Sequence, residues 1–305
     1  MHLRSHSWPP ALTQVPLHIQ MGAIVEHLRQ LSPLGEQAVR GIWIEASQRT
    51  AVFNSLHGPD GDLVIAIADM DILCSHPSLT WCTRFHDEIA NAKIVFVDGN
   101  LNADSLRFVC TTAHQGGARI LFEPVSLAKC LSPIHAQVLE LLDIITPNEL
   151  ELARMCHVLQ ETRSQSTEAL NTTGIQAQCR ALLGAGVRIV VVTRGAKGVL
   201  AAISAADPHA KPHGAALQSI PGVVILPQPT SVEHDGVVYV EVPAIPLSET
   251  ELVNTLGAGD AFAAGLIYGM SRGLLLPGAL QCGIYAAWHS VRTESTVSKV
   301  IKGFL

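Results

Sequence analysis

The sequence predicts an α/β fold, in which a sheet of parallel strands lies between two layers of helices. Short apolar runs recur along the chain, turn residues bound each run, and helical segments separate them. Strands buried on both faces of a parallel sheet have this pattern, and a helix connects each strand to the next. The composition agrees, because 48% of the 305 residues are hydrophobic and 15% are charged, which supports a large core and argues against a disordered chain.

The predicted elements begin with a hairpin. An irregular tail rich in Pro and His is predicted over residues 1–25, and a short helix over residues 22–31. Residues 48–70 predict two antiparallel strands, because two apolar runs flank a polar turn at residues 57–62. This hairpin precedes the alternating part of the chain.

The alternating part supplies the predicted sheet. Its strands cover residues 94–97, 120–122, 143–145, 189–192 and 237–242, and its helices cover 103–115, 134–142, 148–160 and 167–184. Residues 204–236, rich in Pro, His, Gly and Ala, interrupt the alternation and predict a surface insertion. Residues 259–301 are predicted to be mostly helical, with Pro277 at the start of the second helix. Because no linker divides the chain, we expect a single domain over residues 1–305.

The charge and the cysteines restrict the classes of function. The formal net charge of −6 creates no field that attracts nucleic acid or an anionic membrane, and no apolar run approaches the roughly 18 residues that cross a bilayer. The seven cysteines are odd in number and include no CxxC pair, which fits a reducing compartment better than a disulfide framework. We therefore expect a cytoplasmic protein that binds neither nucleic acid nor a membrane.

The strongest site signal lies at residues 254–265, where a predicted strand leads through a glycine turn into a helix of small residues. Gly257 and Gly259 permit unusual backbone dihedrals and close approach of a ligand. The start of a helix offers unpaired N–H groups and a positive dipole end, which suit a phosphate or an oxyanion. Asp260 is the acid at this point and can accept a proton from a hydroxyl group. The alternative is a helix that Asp260 only caps.

Two other phosphate-binding motifs do not match this segment. No Gly-Lys-Ser/Thr follows it, which excludes a P-loop. Phe262 occupies the place of the third glycine in a dinucleotide fingerprint. The segment therefore needs a different interpretation.

Residues 254–265 resemble the C-terminal signature of the PfkB (ribokinase-like) carbohydrate kinases, and two further segments match that family in the same order. Residues 146–151 resemble its Asn-x-x-Glu element, and residues 191–198 resemble the strand and turn beside the ATP phosphates. The resemblance extends from about Gln48 to the C-terminus. It implies a three-layer α/β/α, ribokinase-like (Rossmann-like) sheet with a small β lid, formed here by the hairpin.

Shorter segments resemble the pseudouridine kinase branch of the family. They are residues 49–51, 64–71, 98–100 and 122–126, together with Lys129. This closer resemblance implies transfer of the γ-phosphoryl group of ATP to the 5′ hydroxyl of pseudouridine, with ribose or another nucleoside as the alternative substrate. The implied ligands are ATP and Mg²⁺, with a monovalent cation and a homodimer through the lid as further expectations.

The resemblance also implies the role of each candidate residue. Asp260 is the base, and the N–H groups of Gly257, Ala258 and Gly259 form the anion hole. The implied contacts with ATP are Thr193, Gly195, Gly198, Asn254, Ala286 and Ser290. The implied contacts with Mg²⁺ and its waters are Asn148 and Glu151. The implied contacts with the acceptor are Thr50, Asp98, Asn100 and Glu123. The residues themselves leave alternatives open, namely a turn capped by Asp98 and a structural salt bridge of Glu123. Asn254 stands where many relatives carry Asp.

The family resemblance lacks its usual beginning. Relatives start with βα units that carry an Asp and a Gly-Gly-x-x-x-Asn segment for the sugar hydroxyls, and nothing before Gln48 matches them. We therefore expect an N-terminally incomplete member of the family, whose sheet exposes an unpaired strand. Three alternatives stay open: a kinase with a fragmentary or misassigned start, a catalytically weak or inactive nucleotide-binding protein, and a partner subunit that donates its hairpin to another chain.

Overall fold

The computed structural model describes residues 25–26, 28–29, 36–45, 47–57, 63–75, 78–163, 174–207, 219–220, 224–248 and 250–293. The strands are β1 (Val52–His57), β2 (Leu63–Asp69), β3 (Ile94–Asp98), β4 (Arg119–Glu123), β5 (Ile144–Ile145), β6 (Ile189–Thr193), β7 (Val199–Ser204), β8 (Ser219–Ile220), β9 (Val224–Ile225), β10 (Thr230–His234) and β11 (Val237–Val242). The helices are α1 (Glu36–Val39), α2 (Asp71–Ser75), α3 (Leu79–Thr83), α4 (His86–Ala90), α5 (Ala103–Gln115), α6 (Ser132–His135), α7 (Glu149–Arg163), α8 (Ile175–Leu183), α9 (Ala258–Ser271) and α10 (Leu276–Ser290).

A seven-stranded mixed sheet in the order β10-β11-β7-β6-β5-β4-β3 forms the centre of the molecule. Strands β3 to β6 are parallel, as the sequence predicts. Strands β7, β11 and β10 extend the sheet in antiparallel fashion, which the sequence does not predict. The four parallel strands place their carboxyl ends side by side, and ligands of open α/β sheets bind at such ends.

The central strands separate two hydrophobic cores, because successive side chains point to opposite faces of a sheet. Phe122 and Val190 face a core that includes residues of α5, α7 and α8. Leu121 and Val191 face a second core that includes residues of α9 and α10. Helices therefore cover both faces, and the predicted three-layer α/β/α arrangement is confirmed.

The predicted hairpin forms a separate two-stranded sheet. Strands β1 and β2 pair in antiparallel register, with Val52 opposite Asp69 and Phe53 opposite Ala68. The turn at residues 58–62 lies outside the described residues. We refer to β1 and β2 as the lid.

Helices α9 and α10 pack closely because glycines remove side chains from their contact. A Cβ atom at Gly265 would overlap the carbonyl oxygen of Cys282. A Cβ atom at Gly283 would lie 2.6 Å from the ring of Phe262. The small residues of the segment 254–265 therefore serve helix packing as well as the predicted turn.

The structure corrects two predicted elements. Instead of one helix over residues 134–142, the short helix α6 ends at His135 and a 3₁₀ turn covers Leu139–Leu141, because Gln137 adopts a positive φ of 55° that interrupts the helix. Among the residues described between β11, which ends at Val242, and residue 254, none forms a strand that leads into residues 254–265. Pro243 and Pro246 follow, and proline cannot donate a ladder hydrogen bond.

Part of the predicted insertion at residues 204–236 belongs to the sheet. Ser204 ends β7, and Thr230–His234 forms strand β10, which pairs with β11. Asp235 and Gly236 connect these two strands with φ values of 52° and 70°, the geometry of a two-residue Asp-Gly hairpin turn. Residues 208–218 and 221–223 lie outside the described part of the chain.

Two other predictions fall largely on residues that the structure does not describe. They are the tail at 1–25 and the first half of the helix at 167–184, of which Ile175–Leu183 is helical. Within the helix predicted over 22–31, residues 25–26 and 28–29 are described and are helical. Among the described segments, none of the helices has the length and apolar content needed to cross a bilayer.

Candidate active site

The carboxyl ends of β3 and β4 bring two predicted acceptor residues together. Asp98 and Glu123 are register partners, and the N–H group of Gly99 donates to the carbonyl oxygen of Glu123 at 2.9 Å. The Asp98 carboxylate accepts from the backbone N–H group of Asn100 at 2.9 Å and from its side-chain Nδ2 at 2.7 Å. The turn capped by Asp98 is therefore present, and it orients the carboxylate at the end of the sheet.

Glu123 is a buried carboxyl group with an unusual proton affinity. Its side chain is buried and accepts a hydrogen bond from the Thr146 hydroxyl group. The pKa of Glu123 is raised to about 7, mainly by burial and also by the negative charges of Glu151 and Asp260, while the hydrogen bonds from Thr146 and the Val125 N–H group act in the opposite direction. No salt bridge involves Glu123 among the described residues, so the salt-bridge interpretation is not supported there.

Asn148 and Glu151 cap the start of α7 reciprocally. The Asn148 Oδ1 atom accepts from the N–H groups of Leu150 and Glu151 at 3.0 and 2.9 Å, while Glu151 Oε2 accepts from the Asn148 N–H group at 2.9 Å. This arrangement is a capping box. Burial raises the pKa of the Glu151 carboxyl group. The end of β6 lies beside it, because the Thr193 N–H group donates to Pro147 at 3.0 Å.

The start of α9 has the backbone geometry that the glycines of the motif predict. Gly257 is the N-cap with a φ of 80°, in the left-handed region that favours glycine. The N–H group of Ala258 donates to the Thr255 carbonyl oxygen at 3.2 Å, so it already has a partner within the turn. A Cβ atom at Gly259 would have no neighbour within 4 Å, which leaves open space above this part of the predicted anion hole.

Asp260 lies at the third position of α9 and remains accessible to solvent. Desolvation by the surrounding protein raises the pKa of its carboxyl group, and the negative charge of Asp98 raises it further. Asp260 in turn raises the pKa of Glu123. The packing therefore brings Asp260 within electrostatic range of Asp98 and Glu123, and Glu123 within range of Glu151, although the four carboxylates come from separate segments.

Asn254 stabilises the turn before α9. Its Oδ1 atom accepts from the N–H group of Leu256 at 2.8 Å. Its own N–H group and that of Val253 donate to the carbonyl oxygen of Val291 at 3.2 and 2.9 Å. The side-chain amide therefore holds the turn without a negative charge, and the two backbone N–H groups tie the turn to the end of α10.

The two predicted glycines after β6 have different surroundings. A Cβ atom at Gly198 would overlap the backbone of Val242, so close packing of two strands explains this glycine without a ligand. Gly195 has a φ of 54° and open space around it. Of the two, Gly195 is the one with room for a nucleotide phosphate.

Three predicted residues lie on other segments than the four carboxylates. Thr50 lines a separate cavity of about 460 Å³, whose other walls include Trp43, Trp81 and Phe85. Ala286 and Ser290 are both buried in α10, with exposed fractions of 5% and 1%, and a Cβ atom at Gly265 of α9 would meet Ala286. The contribution of these three residues to ligand binding stays a prediction.

The donor groups at this site suit a magnesium ion that keeps much of its water shell. Mg²⁺ usually binds one or two carboxylates together with substrate phosphates. Glu151 offers a carboxylate of which one oxygen accepts the Asn148 N–H group, whereas the Asn148 amide oxygen is occupied by two backbone N–H groups. No group of three or more His, Cys, Asp or Glu side chains in the described segments could hold a metal ion alone.

Sequence reasoning did not assign roles to two residues of this site. Thr146 donates its hydroxyl hydrogen to Glu123, and its position directly after β5, the strand next to β4, was the available signal. Val125 has a positive φ of 68°, which is an outlier for a β-branched residue. No sequence signal indicates that strain, because valine normally avoids this conformation.

Comparison with protein families supports the resemblance. Residues 39–216 and 232–302 match the model of the pfkB family carbohydrate kinases. These two segments account for most of the chain. The match includes the four carboxylates described above.

Two curated relatives carry pseudouridine in their names. The chain is 26% identical over 287 residues to a pseudouridine kinase of Arabidopsis thaliana, and the alignment covers 87% of this chain and 74% of the relative. It is 25% identical over 292 residues to a pseudouridine-metabolizing bifunctional protein of Schizosaccharomyces pombe, of which it covers 36%, while 86% of this chain is aligned.

A solved structure shows the same fold. The crystal structure of a ribokinase from Thermotoga maritima superposes with a TM-score of 0.53 at 17% sequence identity. The superposition covers 88% of this chain and 74% of that one. The predicted ribokinase-like fold is therefore confirmed.

Proposed function

The chain belongs to the pfkB family of carbohydrate kinases, and from that premise we propose that it transfers the γ-phosphoryl group of ATP to the 5′ hydroxyl of pseudouridine. The family makes the chain a phosphotransferase that acts on a hydroxyl group of a sugar or nucleoside. Pseudouridine is favoured because both curated relatives described above are named for it. Neither relative supports the alternative of an inactive nucleotide-binding protein.

One observation carries the proposal: Asp260 stands at the start of α9, open to solvent, within electrostatic range of Asp98 and Glu123. An acceptor hydroxyl placed between these groups meets a carboxylate that can remove its proton. The raised pKa of Asp260 makes it a stronger base than an ordinary aspartate. Asp98 and Glu123 offer oxygens that can bind the other hydroxyl groups of the acceptor.

The start of α9 is suited to receive the transferred phosphoryl group. The first N–H groups of a helix have no acceptor within the helix, and here the open space at Gly259 lets a phosphate approach them. Preorganised N–H donors stabilise the charge that spreads over the phosphoryl oxygens. Because Ala258 already donates to Thr255, the N–H groups of Gly259 and Asp260 are the donors we assign to this role.

Glu151 is the residue that we assign to Mg²⁺, through water. When bound, the ion neutralises charge on the ATP phosphates. Asn148 holds Glu151 in place through the capping box. Only one of the two Glu151 carboxylate oxygens is used by that capping box.

A panel of acceptors tests the proposal. Purified protein with Mg·ATP is incubated with pseudouridine, ribose, adenosine, uridine and fructose 6-phosphate, and mass spectrometry detects the phosphorylated products. We expect pseudouridine 5′-phosphate as the main product. Phosphorylation of another member of the panel in preference to pseudouridine would leave the family membership intact and replace the proposed substrate.

Replacement of the candidate base tests the mechanism. We expect Asp260→Asn to lower kcat by about 10²- to 10⁴-fold, the usual contribution of a general base, without a change in Tm. Asp104→Asn is the matched control, because Asp104 is an exposed aspartate in the first turn of another helix. An Asp260→Asn variant with the activity of the parent chain would contradict the mechanism.

The lid supports a proposal about assembly. A two-stranded sheet by itself is marginally stable in water, and Ile65 and Ile67 project from the same face of β2 with exposed fractions of 57% and 71%. Contact between two such faces would bury all four side chains, so we propose a homodimer through the lid. In sedimentation experiments Ile67→Asp is expected to give a monomer, and an undisturbed dimer would rule out this face.

The cysteines support a cytoplasmic location for the reaction. Six of them are free and buried in the described part of the chain, and burial raises the pKa of Cys110 to about 12. Such thiols are unreactive structural groups. A reducing compartment therefore suits the protein, and fractionation of cells that express it would test this location.

A further inference from the structure

We propose that Lys129 is a positioning residue, which holds the Asp98–Asn100 turn and the exit of the lid in the arrangement that receives the phosphoryl acceptor. This inference rests on the proposed function, because it concerns the acceptor end of the same site. Lys129 has no role in the chemistry described so far. The sequence nevertheless singles it out together with residues 64–71 and 98–100.

Three segments that are distant in the sequence meet at the Lys129 ammonium group. Its Nζ atom donates to Oδ1 of Asn100, which lies 29 residues earlier. The same atom lies 3.5 Å from Sδ of Met70, which is 59 residues earlier and directly follows β2. The ammonium group therefore links the exit of the lid to the turn after β3.

The Lys129 side chain is fixed at both ends. Its stem packs against the same turn, because a Cβ atom at Gly99 would lie 2.9 Å from the Lys129 Cβ. The side chain is half-buried. No carboxylate forms a salt bridge with Lys129 among the described residues, so the contact with Asn100 is not in competition with an ion pair there.

The contact with Lys129 determines which way the Asn100 amide points. An ammonium group can only donate, so it selects the amide oxygen. The amide nitrogen is then turned toward Asp98, where it donates to Oδ2 at 2.7 Å. The backbone N–H group of Asn100 donates to the other oxygen at 2.9 Å. Lys129 therefore orients the Asp98 carboxylate through Asn100.

The position of Asp98 affects both acceptor and base. Asp98 is a candidate acceptor contact, and its charge acts on Asp260. If Lys129 is removed, the Asn100 amide is free to rotate and the Asp98 carboxylate loses one of its two fixed donors. We expect weaker binding of the acceptor and no effect on ATP binding, because the predicted ATP contacts lie at and after the end of β6, in the turn before α9 and on α10.

Lys129→Met tests this role, because methionine keeps an unbranched apolar stem and cannot donate a hydrogen bond. Steady-state kinetics use ATP and the best acceptor of the panel. We expect the KM for the acceptor to rise by about 10- to 100-fold, as for loss of a hydrogen bond to a charged group, and the KM for ATP to stay unchanged. Lys93→Met is the matched control, because Lys93 is exposed and precedes β3.

A double-mutant cycle separates positioning from direct contact with the acceptor. If Lys129 acts through Asn100, then Lys129→Met adds little to the acceptor KM of an Asn100→Ala variant. An effect of full size in the Asn100→Ala background would overturn the proposal and show that Lys129 contacts the acceptor itself. An equal rise in the KM for both substrates, or no rise, would also overturn it.

Amide hydrogen exchange keeps this result distinct from a failure of the proposed function. In the unliganded chain, Lys129→Met is expected to accelerate exchange of the backbone amide hydrogen of Asn100, which forms a hydrogen bond to the Asp98 carboxylate. Unchanged exchange would overturn the proposal. If the parent chain phosphorylates no member of the panel, the proposed function fails, and the exchange measurement alone decides the role of Lys129.

Discussion

The proposed nucleotide side of the site is built from backbone, whereas the proposed acceptor side is built from side chains that bond to one another. At the start of α9, Gly257 and Gly259 shape the turn and leave space for a phosphate. At the ends of β3 and β4, Asp98 and Glu123 are held by Asn100 and Thr146. The two sides meet electrostatically at Asp260.

Because of this difference, a role in ligand binding is assessed by different criteria for the glycines and for the polar residues. A glycine of the motif has room for a ligand only where a Cβ atom would meet open space, as at Gly259, and serves the fold where a Cβ atom would meet backbone, as at Gly265. A polar residue of the acceptor side is defined by its hydrogen-bond partners. Asn148, for example, uses its amide oxygen to cap α7.

Two glycines on α9 provide the strongest test of this comparison. Gly259→Ala is expected to lower kcat/KM by about 10²-fold, because its methyl group displaces the phosphate, while Tm stays the same or rises, since alanine favours helix over glycine. Gly265→Ala is expected to destabilise the fold by about 1–3 kcal/mol, as overpacking does. Enzyme assays and thermal melting measure both effects.

A control for the glycine pair comes from outside the site. Gly41→Ala places a methyl group where no neighbour lies within 4 Å, so it should change neither activity nor Tm. If Gly259→Ala kept full activity, the open space at the start of α9 would not be the phosphate site. If Gly265→Ala kept full stability, the close contact of α9 and α10 would not depend on glycine.

The next test concerns the buried carboxyl group of the acceptor side. Burial raises the pKa of Glu123 from 4.5 to about 7, so the folded state binds this proton more tightly than the unfolded state. Its stabilising effect is complete below about pH 4.5 and is lost as the pH rises through about 7, with a size on the order of 3 kcal/mol. Glu123→Gln should therefore be as stable as the parent chain at pH 4.5 and more stable at pH 8.

Urea unfolding at both pH values measures this difference. Glu140→Gln is the control, because Glu140 is exposed. A Glu123→Gln variant whose advantage over the parent chain is the same at both pH values would show that Glu123 is not buried as a neutral acid. The nucleotide side offers no carboxyl group with a pKa raised this far among the described residues, so the pH dependence distinguishes the two sides.

The smallest expected effect concerns the electrostatic contact between the two sides. Desolvation and the charge of Asp98 raise the pKa of Asp260. Asp98→Asn removes that charge, so the acidic limb of the pH profile of kcat/KM should move to lower pH. This shift is expected even if the maximum value of kcat/KM also changes. An acidic limb that stays in place would mean that Asp98 does not act on the base.

Much of the nucleotide side could be predicted from the sequence, because its features are local. The residues 254–265 contain the turn, the helix start and Asp260 within one short segment, and the structure has α9 beginning at Ala258. The four parallel strands were also predictable, since buried strands appear as short apolar runs. The hairpin β10–β11 was missed, although Asp235–Gly236 is a recognisable turn signal.

The acceptor side could be predicted as a set of candidates but not as a network. The sequence indicates Asp98, Asn100 and Glu123 because each follows a predicted strand. It does not indicate that Thr146 bonds to Glu123 or that Lys129 bonds to Asn100. Nor does it show that Thr50 lines a separate cavity or that Ser290 is buried in α10.

The sequence by itself determined the α/β class, the resemblance to the family and the position of the candidate base, because these depend on patterns within short segments. The tertiary structure alone decided which glycines face open space, which amide oxygen is already occupied and which carboxylates share a site. Those properties depend on strand register and helix packing, which bring together residues such as Glu123 and Asp260 that no local pattern relates.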